Sequence, residues 1–266
     1  MILIPVVLIA LYLFLIMPRI TNRPDPSPLM GHYYAHRGLH DNESDAPENS
    51  MPAFRKAVEG GYGIELDVQL TRDRIPVVFH DETLDRVCGV PGKVRDFTFE
   101  ELQQFTLKNS QERIPRFSDF LALVNGRVPL IVEIKAHEKA AHVCKKADEL
   151  LRGYSGVYCV ESFHPSAVKW FKEHRPELVR GQLSSCFTKP GRKESFPESL
   201  VHYLLTNVIC RPDFIAYDHL HKGNISRRMC QIFRPLNVTW TIKSQAQLDA
   251  CKKDFDLFIF EGFIPK

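Results

Sequence analysis

A chain of 266 residues with 44% hydrophobic and 25% charged side chains has an ordinary globular composition and enough length for a substantial core. A formal charge of +3, with no basic stripe interleaved with aromatics, argues against a nucleic-acid partner. Seven cysteines (88, 144, 159, 186, 210, 230 and 251) occur without a C-x-x-C pair, so no disulfide framework is expected and a reducing compartment is favoured.

The N-terminus is the first distinct element. Met1 to Met17 carries no charged side chain. As a helix it would span about 26 Å, slightly short of a ~30 Å hydrocarbon core. The expectation is a retained transmembrane anchor over residues 1–18, with Arg19 snorkelling to the interface. A cleaved signal peptide is the rival, but no basic side chain precedes the run and no A-x-A-like site follows it. A buried core helix would ordinarily show a polar face, and this run has none. Arg19 and Arg23 follow the span, which by the positive-inside tendency places the catalytic part in the cytoplasm. Residues 19–30, with three prolines, read as an extended linker.

From residue 31 onward, short β-rich runs alternate with amphipathic helical stretches, the pattern of an α/β domain with a parallel sheet. Strands are expected over His32–Arg37, Ile64–Leu70, Val128–Lys135, Val157–Ser162, Val179–Ser184, Phe214–Tyr217, Val238–Ile242 and Leu257–Phe260. Pro76–His80 follows Leu70 too closely for a parallel crossover and must turn back as a hairpin-like excursion. Eight remaining βα units favour a closed TIM (β/α)8 barrel. Helices are expected over Pro52–Glu59, Phe99–Phe105, Ser118–Val124, Lys139–Arg152, Pro165–His174 and Gln245–Lys253, the first capped by Asn49 or Ser50.

The second strand alternates strictly. Ile64, Leu66, Val68 and Leu70 share one face, and Glu65, Asp67 and Gln69 share the other, aimed into the lumen. Leu130 to Lys135 repeats the design with Glu133 and Lys135 inward. Buried carboxylates repel and resist desolvation unless a cation compensates, and three converging on one lumen suit a hard divalent ion such as Mg²⁺ or Ca²⁺. The plainer alternative pairs Glu133 with Lys135 or an arginine and leaves Glu65 and Asp67 at a solvated strand end. His36 ends the first strand and His80 follows Phe79. Both are placed for proton transfer if the barrel reading holds, although a lone histidine is more often structural. Arg37 could bind a phosphate oxygen or pair with a carboxylate.

The ordered set His36-Arg37-Gly38, Pro47-Glu48-Asn49-Ser50, Ala53-Phe54, Glu65-Leu66-Asp67, His80-Asp81, Thr83-Leu84-Asp85-Arg86, Glu133-Ile134-Lys135 and Ser162-Phe163 resembles the glycerophosphodiester phosphodiesterase family, in a membrane-anchored bacterial-type form. The resemblance runs from about residue 33 to the C-terminus and is most specific up to Phe163. It implies a TIM barrel hydrolysing glycerophosphodiesters to sn-glycerol 3-phosphate and an alcohol, through water or first the neighbouring glycerol hydroxyl. It matches Glu65, Asp67 and Glu133 to metal ligands, and His36 and His80 to the general acid/base pair. Arg37 and Lys135 match phosphate-contacting positions, and Glu48 and Asn49 match the loop shaping the site. Residues 83–115 resemble the family's insertion over the barrel mouth.

Two departures concern the substrate pocket: Lys243 after Trp240-Thr241-Ile242, and Phe260-Glu261-Gly262-Phe263 at the last strand. Trp240 either lines the pocket or packs in the core. The alternatives are a lysophospholipase D-like activity on membrane lysophospholipids, which the polar stretch Lys108 to Arg116 does little to support, and a non-catalytic phosphodiester-binding protein.

Overall fold

Runs with one apolar and one mixed face form a closed barrel in the computed structural model, which describes residues 3–137 and 139–266. The strands are β1 Tyr33–His36, β2 Gly63–Leu70, β3 Pro76–Val78, β4 Leu130–Ile134, β5 Tyr158–Ser162, β6 Arg180–Ser184, β7 Phe214–Asp218, β8 Leu236–Ile242 and β9 Leu257–Phe260. Eight are parallel in the order β1-β9-β8-β7-β6-β5-β4-β2, and pairing of β1 with β2 closes the ring. β3 lies antiparallel on β2, with Val68 opposite Val78, as its short connection requires.

Alternation divides each strand between two cores. Leu66, Val68, Val132 and Ile134 face outward onto the surrounding helices, where Phe54 and Phe120 meet edge to face at 4.5 Å. Inside the barrel, Tyr34, Ile131, Cys159, Phe214, Ala216 and Ile259 fill the N-terminal half of the lumen, and Leu29 of the linker closes it from below. Two inward glycines make room for this layer. A Cβ on Gly63 would lie 2.6 Å from the Tyr34 ring, and one on Gly181 only 1.9 Å from Phe214.

Several expected boundaries move. The expected helix Phe99–Phe105 is a single turn, Phe99–Leu102, and the one expected to reach Lys253 stops at Cys251. Ser50, and not Asn49, caps the helix Met51–Glu59, accepting from the Ala53 amide. Short helices at Asp85–Cys88, Phe196–His202, Asn207–Cys210 and Ile225–Cys230 escape a periodicity reading because four to seven residues hold too few turns to show a period. The insertion has its own apolar cluster of Leu84, Val87, Val94, Leu102, Leu107 and Ile114 over Val77 and Phe79.

The apolar N-terminus forms one helix, Leu3–Ile16, about 21 Å long at 1.5 Å per residue; Met1 and Ile2 lie outside the described residues. Among the described residues no helix is long and apolar enough to cross a membrane. Arg19 does not snorkel. Its guanidinium donates to the Pro176 carbonyl at 2.7 Å and approaches Asp213 at 3.5 Å, at the N-terminal end of the barrel.

Candidate active site

Strand register brings the charged residues together. His36 pairs with Glu65 across β1 and β2, Asp67 with Glu133 across β2 and β4, and Glu133 with Glu161 across β4 and β5. All four carboxylates point into the lumen above the apolar layer and are buried. Ligand oxygens of Glu65, Asp67 and Glu133 all lie within 4.8 Å of one another.

Lys135 is the counter-charge beside them, with Nζ 2.7 Å from Glu133 and 3.0 Å from Asp67. The plainer pairing of Glu133 with Lys135 is therefore present, but it accounts for only part of the charge. Four carboxylates (Glu65, Asp67, Glu133, Glu161) face Lys135 and Arg37, and Arg37 also serves Glu48 at 2.6 Å. The surplus appears as raised carboxyl affinities for protons. Burial pushes Glu65 well above the carboxylate range, and Asp67 and Glu133 add to it; burial likewise raises Glu133 and Glu161. Asp67 goes the other way, because Lys135, His80, Arg37 and a hydrogen bond donated by the Asn49 side-chain amide outweigh its burial.

These residues fit a divalent cation. The donors are all hard carboxylate oxygens, and buried Glu161 Oε2 has no hydrogen-bond partner. Asp67 Oδ1 also lacks a hydrogen bond, although Lys135 Nζ stands 3.0 Å away, because that approach is poorly directed.

Tight turns set the remaining groups. Arg37 sits at φ 57° and Gly38 at φ 84°, and a Cβ on Gly38 would meet the Ala53 backbone at 2.9 Å. This left-handed pair swings the chain so that the Arg37 amide donates to the Glu65 carbonyl at 2.9 Å. Asn49, also left-handed at φ 56°, donates from Nδ2 to Asp67 at 2.8 Å. Its role is to hold a carboxylate. Glu48 joins Arg37 to Arg86 of the insertion, at 2.6 Å to each, and these cations hold its carboxyl down at about 2 against the effect of burial.

Each histidine is held at Nδ1 by a carboxylate. His36 Nδ1 lies 2.6 Å from Glu261, and its Nε2 is 3.9 Å from Glu65. His80 Nδ1 lies 2.6 Å from Asp81, which Arg86 also grips. Such a contact fixes the tautomer and leaves Nε2 for chemistry. Burial, reinforced by Arg37, brings His36 down to about 4 despite Glu261, so its ring is neutral near pH 7. Gln69 points away from the ligand cluster and donates to the Phe79 and Asp81 carbonyls at 2.7 and 2.8 Å, pinning the His80 turn.

A cavity of about 360 Å³ opens above this set, lined by His36, Arg37, His80, Glu65, Phe163 and Trp240 among others. Trp240 stands edge-on to Phe163, with ring centres 5.5 Å apart. Three larger hollows, near 380, 630 and 740 Å³, lie along the linker and contain none of these groups. Asp67 and Lys135 lie just behind the cavity wall.

Sequence reasoning missed Glu161, Asp81 and Glu261 as partners. Glu161 was within reach, since period two in Cys159-Val160-Glu161 places it inward. Glu261 stood out only as a departure from the family pattern.

The sequence of residues 36–222 matches the glycerophosphoryl diester phosphodiesterase family. A Bacillus subtilis relative named as a candidate glycerophosphodiester phosphodiesterase, YhdW, is 37% identical over 252 residues, 87% of this chain and 96% of its own. A glycerophosphodiester phosphodiesterase from Caldanaerobacter subterraneus is 35% identical over 57% of this chain and 66% of its own. The fold is shared with an Oleispira antarctica phosphodiesterase solved with its product sn-glycerol-3-phosphate, at TM-score 0.70, 21% identity and coverage of 87% and 93% of the two chains. A Thermotoga maritima glycerophosphodiester phosphodiesterase superposes at TM-score 0.66, with 23% identity and coverage of 86% and 94%. This chain belongs to the glycerophosphoryl diester phosphodiesterase family.

Proposed function

We propose that the chain hydrolyses glycerophosphodiesters to sn-glycerol 3-phosphate and an alcohol, using one divalent cation, Mg²⁺ or Ca²⁺, and histidine acid/base catalysis. The observation that carries this reading is the convergence of Glu65, Asp67 and Glu133 within 4.8 Å in a buried lumen flanked by His36 and His80. Those three carboxylates would hold the cation, which when bound neutralises phosphate oxygens and draws charge from the phosphorus.

The chain's own groups complete the reaction. Arg37, on the cavity wall, meets a phosphate oxygen, and Lys135 favours the ionised forms of Asp67 and Glu133 and holds both side chains in place. One histidine takes the proton of the attacking hydroxyl while the other protonates the departing oxygen. Glu261 and Asp81 keep each imidazole in the tautomer that presents Nε2 to the cavity. Phe163 and Trp240 form an apolar wall for the alcohol portion, and the insertion over residues 83–115 influences its choice through Arg86.

The helix Leu3–Ile16 attaches the enzyme to a membrane, with the barrel on the cytoplasmic side. The uniformly apolar helix and seven free cysteines support this placement. A second reading, hydrolysis of membrane lysophospholipids, draws support from exposed apolar residues on the barrel rim, Phe196, Leu220 and Ile225.

The test is an assay of the purified chain against a panel of glycerophosphodiesters, read as released glycerol 3-phosphate. Activity should vanish with EDTA and return with Mg²⁺ or Ca²⁺. Full turnover in excess EDTA rejects the metal, and no turnover of any diester with either metal rejects the reaction.

A further inference from the structure

The N-terminal helix runs alongside the barrel in a defined direction. Each barrel helix descends from the C-terminal strand ends, where the cavity opens, to the N-terminal ends. Helix Leu3–Ile16 packs on two of them, Asn207–Cys210 and Ile225–Cys230, and runs parallel to the second. Tyr12 Oη meets Ser226 in the first turn of the latter at 2.5 Å. Four residues on, the Ile16 carbonyl accepts from Asn207 at 2.7 Å and lies 3.4 Å from Cys230 Sγ in the last turn. The chain then continues downward, where the Arg19 amide donates to the Pro212 carbonyl at the entry to β7. Traced backwards from Tyr12, the helix therefore rises toward the catalytic mouth.

Its upper part is free. Residues 4–11 are exposed on every side, with Ile4, Val6, Val7, Leu8, Ile9 and Leu11 all more than half accessible. Over eight residues this stretch rises about 12 Å, the scale of one leaflet of a ~30 Å hydrocarbon core. A groove on a partner protein would cover one face of a helix, whereas acyl chains surround it. The rim on the same flank is apolar and basic. Phe196 on the β6–β7 loop is 76% exposed, Leu220 and Ile225 on the β7–β8 loop 72% and 58%, and Lys189 and Lys193 beside Phe196 are exposed as well. Aromatic and aliphatic tips flanked by lysines match an anionic lipid interface.

We propose that the free half of helix Leu3–Ile16 and the β6–β7 and β7–β8 rim loops together dock on an anionic bilayer, with the helix entering one leaflet and the catalytic mouth turned toward the lipid. This rests on the membrane-attachment reading above and adds to it a depth and an orientation. The active site then draws phosphodiesters from the interface, and the polar insertion faces water from the far side of the mouth.

Hydrogen–deuterium exchange of the full chain, with and without vesicles of phosphatidylcholine and phosphatidylglycerol, tests the orientation, alongside vesicle flotation. Bound protein should gain protection over residues 189–196 and 219–225, and none over residues 20–30 and 231–236. The triple variant Phe196→Glu, Leu220→Glu, Ile225→Glu should lose vesicle affinity about tenfold. Its turnover of dissolved glycerophosphocholine should match that of wild type. Ile20→Glu with Ile232→Glu, at the opposite end, should bind like wild type. Protection at the opposite end, or equal losses in both variants, overturns the orientation while attachment stands. A wild-type chain that fails to float overturns attachment itself. Sedimentation as a dimer in place of vesicle binding overturns both in favour of a second copy covering the helix.

Discussion

Two layers of the barrel lumen sit one above the other on the same strands and differ in almost every physical respect. Moving two residues up a strand, about 6.6 Å, replaces an apolar or glycine position by a titratable one. Tyr34 gives way to His36, Gly63 to Glu65, Ile131 to Glu133, Cys159 to Glu161 and Ile259 to Glu261. The lower layer gains stability from burial and close packing. The upper layer buries like charges, leaves Glu161 Oε2 without a partner and places Arg37 and Asn49 at positive φ. One inward face thus supports the fold below and sets up chemistry above, and the two functions should separate under mutation.

The largest expected effect tests the upper layer. Glu65→Gln should lower kcat/KM by about a thousandfold or more, in the range expected when a charged catalytic group is lost. The same change should raise the melting temperature of the metal-free protein, because Glu65 is held above its ordinary pKa by burial and by Asp67 and Glu133. Thermal melts in EDTA beside steady-state kinetics check both signs. A fall in melting temperature there would mean that the carboxylate supports the fold, and the contrast between the layers would fail. His80→Ala, with no part in that repulsion, should cost ~10²–10⁴-fold in rate.

The lower layer should behave in the opposite way. Gly181→Ala forces a methyl into the Phe214 ring and should cost about 3 kcal/mol by denaturant unfolding, with kcat/KM of the folded protein unchanged. A loss of rate larger than the loss of folded fraction would show that the two layers are coupled. Between these extremes lies Glu261→Gln. It keeps the size of the side chain but weakens its hold on His36 Nδ1, and should lower kcat roughly 10- to 30-fold with KM little moved. Restoration by Glu261→Asp would mark a positioning role, because the shorter carboxylate retains the charge.

Most of this division was legible in the sequence, for a definite reason. Strict alternation in Ile64–Leu70 and Leu130–Lys135 fixes which face is inward, and a one-residue register error would turn every carboxylate outward. Eight parallel strands followed from run spacing, and the hairpin-like β3 from a connection too short to cross over. What was not legible depends on tertiary approach. Glu261 is 225 residues from His36, and no local pattern announces their contact. The direction of the N-terminal helix rests on single contacts such as Tyr12 to Ser226, which apolar composition does not encode. Arg19 looked like an interfacial anchor because it follows an apolar run, yet the Pro176 carbonyl and the Asp213 carboxylate of the barrel claim it.

A final prediction concerns pH, to which the two layers should respond unequally. Glu48 ties the left-handed Arg37 turn to Arg86 of the insertion, and its carboxyl lies at about 2, below the ordinary value of 4.5. A group depressed in the folded state stabilises the fold above its unfolded pKa and loses that contribution as pH falls through its folded pKa. Glu48→Gln should therefore cost on the order of 1–2 kcal/mol above about pH 5, and this difference from wild type should shrink as pH falls and vanish only below about pH 2. The deficit of Gly181→Ala, arising from steric overlap, should stay constant across the same range. Parallel denaturant titrations of the two variants would show whether the mouth is held by ion pairs and the floor by packing. A pH-independent deficit for Glu48→Gln would mean that its contribution is shape and not charge.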